Sequence, residues 1–150
     1  MQLTPKKMKW FLRFYPPYIG AGIKVNLISA DWMTLKVSMS LKWYNKNAVG
    51  TQFGGSLYSM TDPHYVLMLM NLLGREFIVW DKSGSIDFIK PGKGKVSATF
   101  TITNEMINEI KLKTAGGEKY LPEFEVDIID DNDDIIAKVY KTLYIRRKQP

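Results

Sequence analysis

The residues with the most chemical potential lie between Asn47 and Asp62, in the run NAVGTQFGGSLYSMTD. Gly54 and Gly55 stand side by side where a helix begins, and each costs about 1 kcal/mol relative to alanine in a helix. Bare backbone at a helix N-terminus offers N–H groups and a positive dipole end, which together receive an anion or an oxygen becoming one. Asp62 follows Gly55 by seven residues, two helical turns, so a continuous helix puts its carboxylate on the face of the glycine pair. A donor pair and a carboxylate on one face form an acyl-transfer constellation. Each residue also has a plainer reading: Asp62 as a helix cap ahead of Pro63, the glycines as room for close packing of helix on sheet, Asn47 as a turn residue.

Composition limits the alternatives. The chain has 150 residues, no cysteine and one histidine. It therefore has no disulfide, no thiolate nucleophile and no thiolate zinc site. His64 alone cannot make the histidine-rich shell of most catalytic zinc sites, and in a helix it points about 200° away from Asp62. No metal or cofactor is expected, and carboxylates and backbone donors must carry the chemistry. With 45% apolar and 24% charged residues the chain is a packed globular protein, and its length fits a single domain, 1–150, since cores divide only beyond roughly 250 residues. Prolines interrupt the N-terminus before any apolar run of signal-peptide length, and the stretch Tyr65–Leu73 is far short of the roughly 20 residues of a membrane span. The expected location is cytoplasmic.

The elements that must position Asn47 to Asp62 follow from periodicity. Residues 5–15 carry a helical stripe that Pro16 and Pro17 end. Strands are expected over Ile23–Ala30 and over Met33–Leu41, where apolar and polar residues alternate. Gly54–Leu73 reads as one principal helix, stopped by Gly74 and kinked or restarted at Pro63. Apolar on nearly all sides from Val66 to Leu73, it must be wrapped by sheet or partner, and Met60, Met68 and Met70 read as core or tunnel wall. Further strands are expected at Phe77–Asp81, Ser83–Lys90, Lys95–Thr103, Lys119–Ile129 and Ile135–Arg146, with turns at residues 90–94 and 130–134. Asn104–Lys113 fits either a helix capped by Asn104 or a bulged continuation. An antiparallel sheet around one central helix is the economical solution, an α+β protein.

The spacing Asn-x-x-Gly-Thr-x-x-Gly-Gly, with Asp seven residues on, resembles the hotdog-fold acyl-CoA thioesterases of the phenylacetate-pathway type. The runs NAVGTQFGGSLYSMTDP and VWDKSGSIDFIKPGKG resemble an uncharacterised branch of that superfamily, known as a domain of unknown function. The resemblance implies a hotdog fold, with sheet wrapped around the long helix, and an acyl-CoA or similar acyl thioester as substrate. It implies that Gly54 N–H polarises the thioester carbonyl, that Asp62 is base or nucleophile, and that Asn47 positions water or substrate. It also implies a site between two subunits, hence a homodimer or a dimer of dimers. Phe53 stands where those thioesterases place histidine, and a phenyl ring donates no hydrogen bond; a non-catalytic binder of an acyl or lipid-like ligand is the alternative. Phe53, Gly55, Lys90 and Lys93 are the expected substrate contacts. The charge of +6 is uneven: eight basic residues against one acidic in 1–46, five against four in 47–104, eight against ten in 105–150. The basic N-terminal third is a solvated face or a contact for coenzyme A phosphates; no motif arranges the aromatics for nucleic acid.

Overall fold

The computed structural model describes residues 3–149. Alternation builds the sheet: along β2 (Thr34–Ser40), Leu35, Val37 and Met39 are buried while Lys36 and Ser40 face water, one face for the core and one for solvent. β1 (Ile23–Ile28) pairs β2, and β2 is followed in the sheet by β4 (Lys95–Thr101), β6 (Glu123–Asp130), β7 (Ile135–Arg147) and β3 (Phe77–Phe88), every pairing antiparallel. The two-residue β5 (Lys119–Tyr120) also pairs β7. β1 and β3 are thus the two ends of the strand order.

The sheet packs on the central helix α4 (His64–Leu73). Met68 and Leu69 have no exposed surface, Tyr65 stacks on Phe124 at 4.5 Å and meets Phe100 edge-on at 5.1 Å, geometries that add to the apolar burial. This is the α+β hotdog fold that the resemblance implies. The wrapping is incomplete within one chain, since Met70 on the outer side of α4 is 50% exposed.

At Pro63 the expected restart is the alternative taken, and four other boundaries differ from expectation. The principal helix is two helices, α3 (Gly54–Ser59) and α4, separated by residues 60–63: Pro63 lacks an N–H and disfavours helical backbone in Asp62 before it. Pro16 and Pro17 end α1 (Pro5–Arg13) but also open α2 (Pro16–Ala21), since proline suits a first turn; Gly22, at φ +74°, closes it. β3 is one strand rather than two, with an irregular register between Asp81 and Ser83. Lys119–Ile129 splits into β5 and β6 around residues 121–122, Pro122 being unable to donate to a ladder. Residues 104–113 form helix α5 (Asn104–Lys113), but its cap is Thr103, whose hydroxyl accepts from Met106 N–H at 3.3 Å. Thr103→Ala should cost about 1 kcal/mol, read as a lower urea midpoint with an unchanged slope.

Candidate functional site

The loop before α3 is held by Asn47. Its Oδ1 accepts from the N–H groups of Val49 and Thr51 (3.1 and 3.0 Å), and its Nδ2 donates to Thr51 Oγ1 and Gln52 O (2.9 and 3.3 Å). Both side-chain donors are spent inside the loop, so Asn47 positions the backbone ahead of the glycines. Gln52, buried beneath, ties the loop to the sheet through Nε2 to Gly94 O at 2.8 Å.

The glycine pair has a packing reason. A Cβ on Gly54 would lie 2.8 Å from Phe88, and one on Gly55 would lie 2.6 Å from Phe53, so each glycine admits a phenyl ring against backbone. Phe53 is 54% exposed and precedes α3 without a side-chain cap. Among the described residues neither Gly54 N–H nor Gly55 N–H has an acceptor, whereas Ser56 and Leu57 donate to Phe53 O.

Asp62 lies in the break between α3 and α4, not inside a helix, so no continuous pair of helical turns carries it to the glycine face as the spacing implies. Nor does it cap α4: the residue before that helix is Pro63, and no side-chain cap bond is made. Its main-chain carbonyl accepts from the Tyr18 hydroxyl, and its carboxylate makes no ion pair among the described residues. Withdrawal from water lifts the Asp62 pKa above the ordinary carboxylate value; Lys141 opposes the rise and Asp81 adds to it.

Lys141, Asp81 and Tyr58 complete the cluster, and none was singled out by the spacing. Lys141 lies in the inward series Ala137, Val139, Lys141, Leu143, Ile145 of β7, every member buried. The readable signal was a lysine in the apolar register of a strand, which demands a partner. Its Nζ is 3.2 Å from Asp81 Oδ2 on β3, 3.4 Å from the Tyr58 hydroxyl of α3 and 5.0 Å above the Tyr58 ring. Burial lowers the Lys141 pKa, but Asp81, Asp62 and Tyr58 outweigh it and hold the ammonium above its ordinary value. Gly84 gives the Tyr58 hydroxyl its place, since a Cβ there would fall 2.2 Å from the oxygen. An open groove of about 700 Å³ along β3, β6 and β7 reaches Lys141.

Beneath Asp62, His64 has no exposed surface. Its Nε2 lies 2.9 Å from the Tyr18 hydroxyl and 3.1 Å from Met60 O. The single Tyr18 proton goes to Asp62 O, so Nε2 carries the imidazole proton and Nδ1 stays buried without a partner. Burial pushes the His64 pKa down from 6.5 to about 3. The unfolded chain takes up a proton near pH 6.5 that the folded chain refuses until about pH 3, so stability falls with pH through that window, by up to about 1.4 kcal/mol per unit. Urea unfolding of His64→Gln across the same window should show this slope reduced by one proton.

The other expected contacts lie apart from this cluster. Lys90 pairs with Asp134 at 2.5 Å. Lys93 is exposed, with no acidic partner among the described residues.

A family model described as a domain of unknown function, DUF4442, matches residues 5–145. No curated protein matches the sequence. Among solved structures, the chain is similar to a Pseudomonas aeruginosa protein of unknown function described as a probable thioesterase, at 15% identity, 99% coverage of both chains and a TM-score of 0.87. A thioesterase from Haemophilus influenzae matches at 12% identity over 98% of this chain and 93% of the other, TM-score 0.71. The E. coli PaaI protein from the phenylacetic acid degradation operon matches at 13% identity over 96% and 92%, TM-score 0.62. At these identities the likeness is one of fold.

Proposed function

We propose, for a chain that belongs to the DUF4442 family, hydrolysis of an acyl thioester of the acyl-CoA type at the break between α3 and α4. The observation that carries this reading is the free carboxylate of Asp62, raised in pKa and lying in the field of the buried Lys141. Asp62 takes a proton from water as the water oxygen attacks the thioester carbonyl, and Gly54 N–H receives the developing oxyanion. The C–S bond then breaks, the thiolate recovers the proton, and a carboxylic acid and a thiol leave. Attack by Asp62 itself, through a mixed anhydride that water then cleaves, balances equally. Asn47 contributes by holding the loop that aims the Gly54 N–H, and Gly55 by admitting Phe53.

Two copies complete the site in this reading. β3 ends the strand order, and its second edge has no strand partner among the described residues. A row of unpaired backbone groups is a template for a second chain. Pairing β3 with β3 is isologous, and in this reading loop 47–53 of one copy faces Asp62 of the other, as the resemblance implies. The free Lys93 is the member of the pair Lys90 and Lys93 that remains for a coenzyme A phosphate. A second reading, acyl or lipid-like ligand binding without turnover, is favoured by Phe53, whose ring supplies no donor beside Gly54.

Thiol release from acyl-CoA substrates of graded chain length separates the two, and the absence of cysteine leaves no background thiol in the assay. Turnover supports hydrolysis. A copurified acyl ligand with no turnover at any chain length supports the binder.

A further inference from the structure

The N-terminal face has a pattern of charge and aromatic exposure that the α3–α4 site does not use. Residues 1–30 contain Lys6, Lys7, Lys9, Arg13 and Lys24 and no acidic residue. The fold gathers Lys6, Lys9 and Arg13, one face of α1, with Lys24 of β1 and Lys42 of the segment after β2 around an open cleft of about 640 Å³. No acidic side chain lines it. Lys9 Nζ donates to Asn26 O at 2.5 Å, and none of the five cations has an ion-pair partner among the described residues.

The rim is apolar and outward. α1 sends Leu12 into the core and leaves Trp10 65% exposed, edge-on to Phe14 at 5.1 Å. Across the cleft stand Ile19 and Tyr44, and Trp43, 83% exposed, leans edge-on against Tyr44 at 5.5 Å. A small phosphate-bearing ligand would use the cations and one ring inside the cleft. It would leave Phe14 and Trp43 in water, and contiguous exposed apolar side chains mark a contact surface. Lysine and arginine beneath a ring of tryptophan and phenylalanine on a short helix are what a headgroup layer takes up.

We propose that this face docks the protein on an anionic lipid bilayer, the cations on lipid phosphates and Trp10, Phe14, Ile19 and Trp43 in the interfacial layer. The docking is peripheral, since no helix among the described residues is long and apolar enough to cross a membrane. The face packs on β1, the end of the strand order opposite β3. The inference stands without thioester hydrolysis.

The experiment is sedimentation of the full chain with vesicles of phosphatidylcholine alone and of an equal mixture of phosphatidylcholine and phosphatidylglycerol. Binding to the mixture alone is expected, weakening as salt rises. Joint Lys6→Gln, Arg13→Gln and Lys42→Gln should weaken it about a hundredfold, from about fivefold per cation. Tryptophan emission should shift to the blue on the mixed vesicles, and the shift should disappear in Trp10→Phe with Trp43→Phe, because Trp32 is buried and Trp80 stacks on Tyr144 at 4.2 Å. Circular dichroism of each variant should match the parent. No sedimentation with the mixture, equal sedimentation with both vesicles, or undiminished binding by the triple variant would overturn the proposal. So would displacement by soluble glycerophosphate, which would make the cleft a free-anion site. A change of oligomeric state in Trp10→Ser with Trp43→Ser would also overturn it, assigning the face to a second copy.

Discussion

Asp62→Asn leaves a folded protein whose thiol release from acyl-CoA drops by about 10²–10⁴-fold, the range that loss of a positioned base removes. The substitution preserves volume and the main-chain carbonyl that Tyr18 holds, so stability should change little and the loss should fall on turnover. The parent's rate should rise with pH through the pKa of Asp62, which lies above the ordinary carboxylate because water is partly withdrawn from it. Lys141→Met removes the cation that restrains that rise, so the acid limb of the pH profile should move to higher pH. An Asp62→Asn variant with full turnover would remove the mechanism. Loss of turnover in Lys141→Met without movement of the limb would reduce Lys141 to a structural role.

The second large effect is on stability. Asp81→Asn leaves the Lys141 ammonium, 3% exposed, with only the Tyr58 hydroxyl in hydrogen-bond reach and Asp62 as the remaining negative charge in its field, and breaking a buried pair from one side costs about 3 kcal/mol. Removing the other partner costs less: Lys141→Met leaves Asp81, 27% exposed, able to recruit water. The pair Asp81→Asn with Lys141→Met should recover much of the loss, so urea midpoints of the four proteins should close a cycle with a coupling of at least about 1 kcal/mol. Because the folded pKa of Lys141 lies above its unfolded value, the contribution is fully present below about pH 10 and is lost as pH rises through the folded value. A cycle that closes at zero would make the ion pair incidental.

Most of the fold was legible because period-2 and period-3.6 patterns report burial directly. Met33–Leu41 alternates as a strand and holds β2, and Val66–Leu73, apolar but for Asn71, lies in the helix inside the sheet. The boundaries failed where one residue sets the backbone. At Pro63 the restart that the proline implied took place, whereas Thr103 rather than Asn104 took the cap because its hydroxyl reached Met106 N–H. At the site, the glycine pair and Asp62 stood out by residue type, but their geometric link through a continuous helix did not survive the break. Lys141, Asp81 and Tyr58 come from three separate elements, and no spacing along the chain brings them within view of one another.

What the sequence by itself determined was the inventory and the local geometry: no thiol, one histidine, a bare-backbone start to α3, a carboxylate before Pro63, a basic N-terminal third and the faces of each strand. These depend on residue identity and on neighbours a few positions away. The tertiary structure decided which groups meet. It turned Lys141 inward onto Asp81, spent the Asn47 amide inside its own loop, buried His64 as a neutral imidazole under Tyr18, and gathered five separated cations around one cleft. Such meetings are fixed by strand register and by the packing of helices on the sheet, which sum many weak contacts over the whole chain. The charge therefore reads differently in space than along the chain: five cations gather in one aromatic-rimmed face at the β1 end of the sheet, with Tyr18 standing between that cleft and Asp62.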